Sequence, residues 1–303
     1  MDLLKQPETR RLLQSAQVAL PLTEDPLGDL AAGLRMERAA AAEMLKALQR
    51  EGAVAGVRGE PNPQLAEARV LQVEAAAESP SGGHEEVIRW AGRAPDGRWW
   101  WSAMRLAAKG TERPARFFKA GFLLSFEDGP ERLLDAARER SLFVGEELVE
   151  LPQLPGDAAR LADALFQPLL FNPEVDLWEQ LARKASIQAP GVRPALKHLL
   201  QTGVFRRFAL ALSPAALGWK GCGLASWEFA ESEHAMAAEA GRALAALRGT
   251  GDVMYGHGAN GPGRLQALFL AREPGAGGQA AGEIARQWGR PLAEWTPLDI
   301  RPA

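Results

Sequence analysis

The residues that could move protons near neutral pH are few, and two of them stand together late in the chain. Tyr255, the only tyrosine, precedes His257 by two positions in a Gly-rich segment. If a β-strand continues through these positions, its period of two places both side chains on one face. An imidazole can give or take a proton near neutral pH, so the pair could act as a general acid and its helper. The alternative is an exposed loop histidine without a chemical role.

Four arginines are candidates for binding carboxylates, because a guanidinium grips a carboxylate with two parallel hydrogen bonds. Arg264 and Arg98 each follow a glycine at the start of a predicted strand, where a solvated surface role is the alternative. Arg206 and Arg207 lie in the apolar stretch 204–212, where they could face a cleft, contact DNA phosphates or simply lie at the surface.

Several other chemistries are excluded or disfavoured by the residues present. Cys222 is the only cysteine, which rules out an intramolecular disulfide and a Cys-rich metal site; we expect it to be buried in a strand. The remaining histidines, His84, His198 and His234, show no metal-ligand spacing, so we predict no protein-bound metal. The chain has neither a phosphate-binding loop nor a nucleophile elbow.

The composition is that of an ordinary globular protein. The chain has 303 residues, of which 47% are hydrophobic and 24% charged, and a net charge of −3. Neither half of the chain carries a marked excess of basic over acidic residues, which argues against nucleic-acid binding without excluding it. Because no apolar run approaches the length of a membrane span and the first residues lack the apolar core of a secretion signal, we predict a cytoplasmic protein without a membrane association.

An internal repeat organises the sequence. The segment 45–54 aligns with 196–205 at an offset of 151 positions, and Asp29-Leu30 matches Asp176-Leu177 at an offset of 147. This pattern predicts a tandem duplication with about four extra residues in the second copy, within 184–190. We expect Asn172 and Pro173 to begin a helix in the second copy, as Asp25 and Pro26 do in the first.

Each copy is predicted to begin with three short helices and a small hairpin, the pattern of a winged helix. The second copy then reads as strand, helix, strand, strand, helix, strand, which is a ferredoxin-like order. The first copy is less regular: 69–75, 98–105 and 117–126 are predicted strands, followed by a helix over 130–140 and a strand over 142–151. The predicted fold is therefore α+β, with winged helices at 1–60 and 156–212, a modified ferredoxin-like domain at 61–155 and a ferredoxin-like domain at 213–303.

Three segments resemble the Lrp/AsnC family and its enzymatic offshoot, the sirohaem decarboxylases of haem d1 and alternative haem biosynthesis. Residues 17–26 are similar to that family's Pro-Leu…Pro entry into its second helix, and 203–208 to its Gly-Val-Ile-Arg-Arg-Phe wing. Leu217-Gly218-Trp219 followed by Ala225-Ser226-Trp227 is like its Gly-Phe…Val-Trp strand. Where the family has His-Cys-Tyr followed by basic residues, this chain has Tyr255 and His257 in the exchanged order and no basic pair.

The resemblance implies removal of acetate carboxylates from sirohaem, with no added cofactor because the substrate carries its own iron. It assigns His257 as acid or iron ligand, Tyr255 as its helper, and Arg264, Arg206, Arg207, Arg98 and Trp219 to substrate binding. The indoles of 99–101 would pack in the core, at a subunit interface or under the tetrapyrrole. A homodimer, or a complex with related decarboxylase subunits, is expected. The alternatives are an Lrp/AsnC-like regulator that binds DNA, and a non-catalytic partner subunit.

Overall fold

The computed structural model describes residues 3–62, 64–65, 69–76, 86–105, 116–119, 121–126, 137–138, 140–145, 152–257 and 262–301. Within these ranges the chain combines helices with antiparallel sheets, which is an α+β fold. The predicted helix over 130–140 and strand over 142–151 fall mostly outside the described residues.

Each half opens with three helices and one strand. In the first half these are α1 (Pro7–Ala16), α2 (Pro26–Gly33), α3 (Arg38–Arg50) and β1 (Val54–Pro61). In the second half they are α4 (Gly156–Leu165), α5 (Leu177–Ala185), α6 (Ala189–Gln201) and β6 (Phe205–Leu212). The described residues of neither half contain the predicted hairpin; instead β1 and β6 pair with each other in an antiparallel two-stranded ribbon.

Local sequence signals explain the helix boundaries. The carboxylate of Asp25 accepts a hydrogen bond from the Gly28 N–H at 3.1 Å and so caps α2, as predicted. The corresponding helix α5 begins at Leu177 rather than at Pro173, because Asp176 takes the capping position and accepts from the Glu179 N–H at 2.9 Å. Asn172 instead stabilises the preceding turn, where its side chain accepts from the Glu174 N–H at 3.0 Å.

The position of the extra residues in the second copy also differs from the prediction. The second helix, third helix and strand of each copy start 151 positions apart, so 184–190 contains no insertion. The first helices, in contrast, start 149 positions apart. The two extra residues therefore lie in the connection between α4 and α5, where a change in loop length costs little.

The remainder of each half supplies most of the strands of one sheet. The first half supplies β2 (Arg69–Ala76), β3 (Glu86–Arg93), β4 (Trp99–Arg105) and β5 (Arg116–Lys119). Strand β3 was not predicted from the sequence, and residues 121–126, predicted to continue the strand that begins at 117, do not form part of a strand. The second half supplies β7 (Gly223–Phe229), α7 (His234–Ala246), β8 (Thr250–His257), β9 (Gly263–Phe269), α8 (Ala276–Gln287), β10 (Glu294–Pro297) and β11 (Asp299–Arg301). From β7 to β10 this is the order predicted from the sequence.

The two halves exchange strands. The five-stranded sheet has the order β10-β7-β9-β8-β5, so a strand of the first half completes the sheet of the second. The four-stranded sheet has the order β11-β3-β4-β2, so a strand of the second half completes the sheet of the first. Together with the β1–β6 ribbon, these pairings connect the halves through backbone hydrogen bonds at three places.

A buried carboxylate strengthens the connection between the two halves that the exchanged strands make. Asp252 on β8 is 3% exposed and accepts hydrogen bonds from the indole N–H of Trp90 on β3 at 2.9 Å and from the Gly121 N–H at 2.8 Å. Charge-assisted hydrogen bonds of this kind are stronger than neutral ones. Asp252 therefore ties its own sheet to two segments of the other half.

Two helical glycines provide a test of how tightly the exchanged strand is held. Gly241 on α7 faces the ring of Phe118 on β5, and a Cβ at this position would overlap that ring, which is 1% exposed and cannot move aside. We expect Gly241→Ala to lower the free energy of unfolding by about 1–3 kcal/mol. Gly282→Ala on α8 is the control, because an added Cβ there meets no described atom within 4 Å; we expect it to raise stability by up to about 1 kcal/mol. Urea unfolding measures the free energy of unfolding of both variants, and equal changes would contradict the tight packing of Gly241 against Phe118.

Candidate functional site

The phenol of Tyr255 is buried beside an imidazole. Tyr255 lies on β8 and is 4% exposed, and its hydroxyl lies 3.2 Å from Nδ1 of His234. The two rings meet edge to face with their centroids 5.0 Å apart. His234 is the first residue of α7 and is exposed to solvent. The pair therefore joins a buried proton-bearing group to one at the surface.

The residues around Tyr255 fix the position of its hydroxyl group. The Phe229 ring packs edge-on against the Tyr255 ring, with centroids 6.4 Å apart. On the neighbouring strand, Gly263 lies so close that a Cβ there would overlap the Tyr255 hydroxyl. A glycine at 263 is thus required for the phenol to occupy this space.

Charged groups border the pair on the side of α7. Glu231 and Glu233 form the short 3-10 turn before the helix, and Arg290 binds Glu233 at 2.5 Å while covering the face of Phe229 at 4.3 Å. The Arg290 hydrogen bond, with help from the Ala230 N–H, lowers the pKa of Glu233. Burial raises the pKa of Tyr255, and the charges of Glu231 and Glu233 raise it further. The phenol therefore keeps its proton at neutral pH and can act as a donor.

Strand β8 continues to His257, as the sequence interpretation required. His257 pairs with Gly263 in the backbone ladder, two positions after the pair of Tyr255 with Leu265. Residues 255 and 257 thus occupy the same side of the strand by alternation. The side chain of His257 lies outside the described part of the chain.

Arg264 lies on the other face of this sheet. Its neighbour Leu265 packs with Tyr255 in the core beneath α7 and α8, so Arg264 points away from that core. Its guanidinium binds the Glu228 carboxylate directly opposite on β7 at 3.0 Å, and both side chains are nearly half exposed. The structure therefore separates Arg264 from Tyr255.

Arg207 belongs to a buried ion cluster on the β1–β6 ribbon. Glu60 lies opposite Arg207 in the strand register and contacts it at 3.7 Å, and Arg58 approaches the same carboxylate at 3.2 Å. The side chains of all three are no more than 10% exposed. Arg207 also donates to the Gln17 carbonyl and stacks on Phe143 at 4.7 Å. The cluster lines a cavity of about 60 Å³ that Trp90 and Asp252 also border.

The other predicted binding residues have local partners as well. Arg206 donates to the Leu142 carbonyl at 2.6 Å, to Asn62 at 3.1 Å and to Gln64.

Arg98 and Trp219 lie elsewhere in the structure. Arg98 is exposed and binds Asp96 within the turn between β3 and β4 at 2.7 Å. Trp219 is 6% exposed. It packs edge-on against Phe126 with centroids 5.4 Å apart, and Arg272 covers its ring at 4.6 Å.

Of the seven predicted site residues, Tyr255 and His257 thus lie on one strand, and Arg206 and Arg207 lie together on another, β6 of the β1–β6 ribbon. His234 was not predicted as a site residue, because its lack of metal-ligand spacing was the only property that the sequence showed. Arg58 and Glu60 were not predicted either, although charged residues two apart within an apolar strand are a recognisable signal of a buried pair.

In the part of the chain that the structure describes, the remaining candidate groups add no further reactive centre. Cys222 is buried, and burial raises the pKa of its thiol to about 11, which keeps it protonated at neutral pH. Among the described residues, no three His, Cys, Asp or Glu side chains are grouped as metal ligands would be. Within the same ranges, none of the helices combines the length and apolar composition that crossing a membrane requires.

Comparison with known proteins connects this fold to one enzyme. No family model and no curated protein matches the chain. The crystal structure of the siroheme decarboxylase NirDL is similar over 97% of this chain and 90% of that chain, with 16% identity and a TM-score of 0.50. The crystal structure of the same enzyme in co-complex with an iron-uroporphyrin III analogue is similar over the same shares, with 15% identity and a TM-score of 0.52. The chain therefore has the fold of a sirohaem decarboxylase, in agreement with the resemblance seen in the sequence.

The ion cluster of the ribbon predicts a strong dependence of stability on Glu60. Glu60→Gln removes the negative charge that the two buried guanidinium groups of Arg58 and Arg207 share. We expect the free energy of unfolding to fall by about 3–5 kcal/mol. The matched control is Glu228→Gln, which removes the half-exposed partner of Arg264 and should cost about 1 kcal/mol or less. Chemical denaturation of the two variants is the measurement, and similar losses would show that the Glu60 cluster is not stabilising.

Proposed function

We propose that the protein is a sirohaem decarboxylase-like enzyme that removes acetate carboxylates from sirohaem. The observation that carries this proposal is the shared fold, which extends over 97% of the chain, with the siroheme decarboxylase NirDL. One structure of that enzyme holds an iron-uroporphyrin III analogue, which supports a tetrapyrrole as the ligand class.

The chemistry requires one proton for each carboxylate removed. The bond between the methylene carbon and the carboxylate breaks, CO2 leaves, and the carbon takes up a proton to become a methyl group. In this proposal His257 supplies that proton, and Tyr255, which keeps its proton at neutral pH, supports it from the same face of β8. The iron belongs to the substrate, so no added cofactor is needed.

A specific observation supports a second candidate, a non-catalytic partner subunit that helps to shape a site on another chain. The four arginines expected to bind substrate carboxylates already have protein partners: Arg98 binds Asp96, Arg264 binds Glu228, Arg207 binds Glu60, and Arg206 binds a backbone carbonyl. A substrate carboxylate would have to displace these contacts. A homodimer, or a complex with related decarboxylase subunits, accommodates either candidate.

Anaerobic titration of the purified protein with sirohaem distinguishes these candidates. A shifted Soret band together with product masses reduced by CO2 would support the decarboxylase. A shifted band without loss of CO2 would favour the partner subunit. A protein that leaves the Soret band unchanged would contradict both, and binding to duplex DNA, the activity of an Lrp/AsnC-like regulator, would then be measured.

The proposed proton donor has a direct test. We expect His257→Ala to abolish CO2 release, a loss of about a hundredfold or more, because general acid catalysis contributes at least that much. Sirohaem binding and the circular dichroism spectrum should be retained. His84→Ala is the control, because His84 also follows a glycine in the sequence but has no proposed role. Undiminished CO2 release by the His257 variant would remove this residue from the reaction.

A further inference from the structure

We propose that His234 and Tyr255 form a proton-delivery pair, in which the exposed imidazole transfers a proton from solvent to the buried phenol after the phenol has lost its own. This inference rests on the proposed function, because decarboxylation is the reaction that consumes the protons. It assigns a role to His234, which lies outside the residues that the family resemblance pointed to.

The geometry meets the requirements of such a pair. The hydroxyl of Tyr255 and Nδ1 of His234 are 3.2 Å apart, which is hydrogen-bonding distance. Tyr255 is 4% exposed, whereas His234 stands at the exposed first position of α7. The imidazole is thus the link between the phenol and bulk water.

The contact is also held in place from both sides. The backbone of His234 is fixed by the start of α7, and Tyr255 is fixed by the Phe229 ring and by the space that Gly263 leaves free. A rigid donor and acceptor at hydrogen-bonding distance need no rearrangement before a proton moves. This is the arrangement expected of a relay.

The proton balance explains why a relay is useful. When CO2 leaves, the electron pair of the broken bond remains on carbon, and that carbon takes one proton from the protein. A donor at the site is then left without its proton and must recover one before the next carboxylate can react. In the proposed sequence the phenol passes a proton towards position 257. The imidazole of His234, in a form that carries a proton on Nδ1, returns that proton to the phenol oxygen, and water then restores the proton on the imidazole.

The charged groups around the pair keep the phenol protonated between these steps. Glu231 and Glu233 approach from the turn before α7, and Arg290 approaches from the segment after α8 and binds Glu233. Burial raises the pKa of Tyr255, and the charges of Glu231 and Glu233 raise it further. Glu228 and Arg264 lie on the opposite face of the sheet and bind each other.

The first test follows the phenol itself and needs no substrate. Because Tyr255 is the only tyrosine, the ultraviolet absorbance of tyrosinate reports this one residue during an alkaline titration. We expect His234→Ala to lower the titration midpoint by about half a pH unit or more, because removal of the imidazole admits water to the phenol and weakens the burial that raises its pKa. Glu239→Gln, an exposed change on the same helix, should leave the midpoint unchanged. An unchanged midpoint in His234→Ala would overturn the pair.

The second test follows the reaction. We expect His234→Ala to slow CO2 release in a single turnover by about tenfold or more without changing sirohaem affinity, and free imidazole in the buffer to restore part of the rate. Tyr255→Phe should be equally slow and should not respond to imidazole. Glu239→Gln should react at the wild-type rate. A purely structural role for His234 would give no rescue by imidazole, and that result would overturn the relay.

The two tests separate this inference from the proposed function. A wild-type protein that binds sirohaem but releases no CO2 would overturn the decarboxylase and the delivery role together. CO2 release at the wild-type rate by His234→Ala would overturn only the delivery role. A shifted tyrosine titration together with slow, imidazole-rescued CO2 release would support both.

Discussion

The structure depends on the need of every buried strand for a neighbour. An unpaired N–H or C=O group inside a protein costs as much free energy as a lost hydrogen bond, so each sheet must be completed. In this chain the completing strand comes from the other half: β5 joins β8, β11 joins β3, and β1 pairs with β6. Neither half completes its own sheets, so the two halves depend on each other for backbone pairing.

This exchange determines where chemically active side chains can lie. The β1–β6 ribbon brings Arg58, Glu60 and Arg207 to the junction with the sheets, where their charges satisfy one another away from water. At the far end of β8, alternation along the strand and its neighbours directs Tyr255 towards the helices and Arg264 to the opposite face. The charged residues of the junction therefore hold the two halves together, whereas the helix side of β8 presents a phenol and an imidazole within hydrogen-bonding distance of each other.

Much of the fold could be predicted from the sequence, because its signals are local. The apolar spacing of α3 and α6, the cap at Asp25 and the order of elements from β7 to β10 each follow from nearby residues. The partners of the candidate site residues could not be predicted in this way. His234 meets Tyr255 only because a helix start folds over a strand, and Arg207 meets Glu60 only because strands from different halves pair. The predicted hairpins failed for the same reason, since local patterns indicate strands but do not identify their neighbours.

The pairing of β11 with β3 has a consequence for how the protein is made. Asp299 forms its ladder contact with Arg93, so the first sheet cannot be completed until nearly all of the described chain has left the ribosome. Contacts between positions so distant in sequence slow folding, because a long loop must close before they form. During synthesis the edge of β3 stays open to other strands, including those of neighbouring nascent chains. The last described strand of the chain therefore closes an edge that is open to unwanted pairing for as long as that strand is missing.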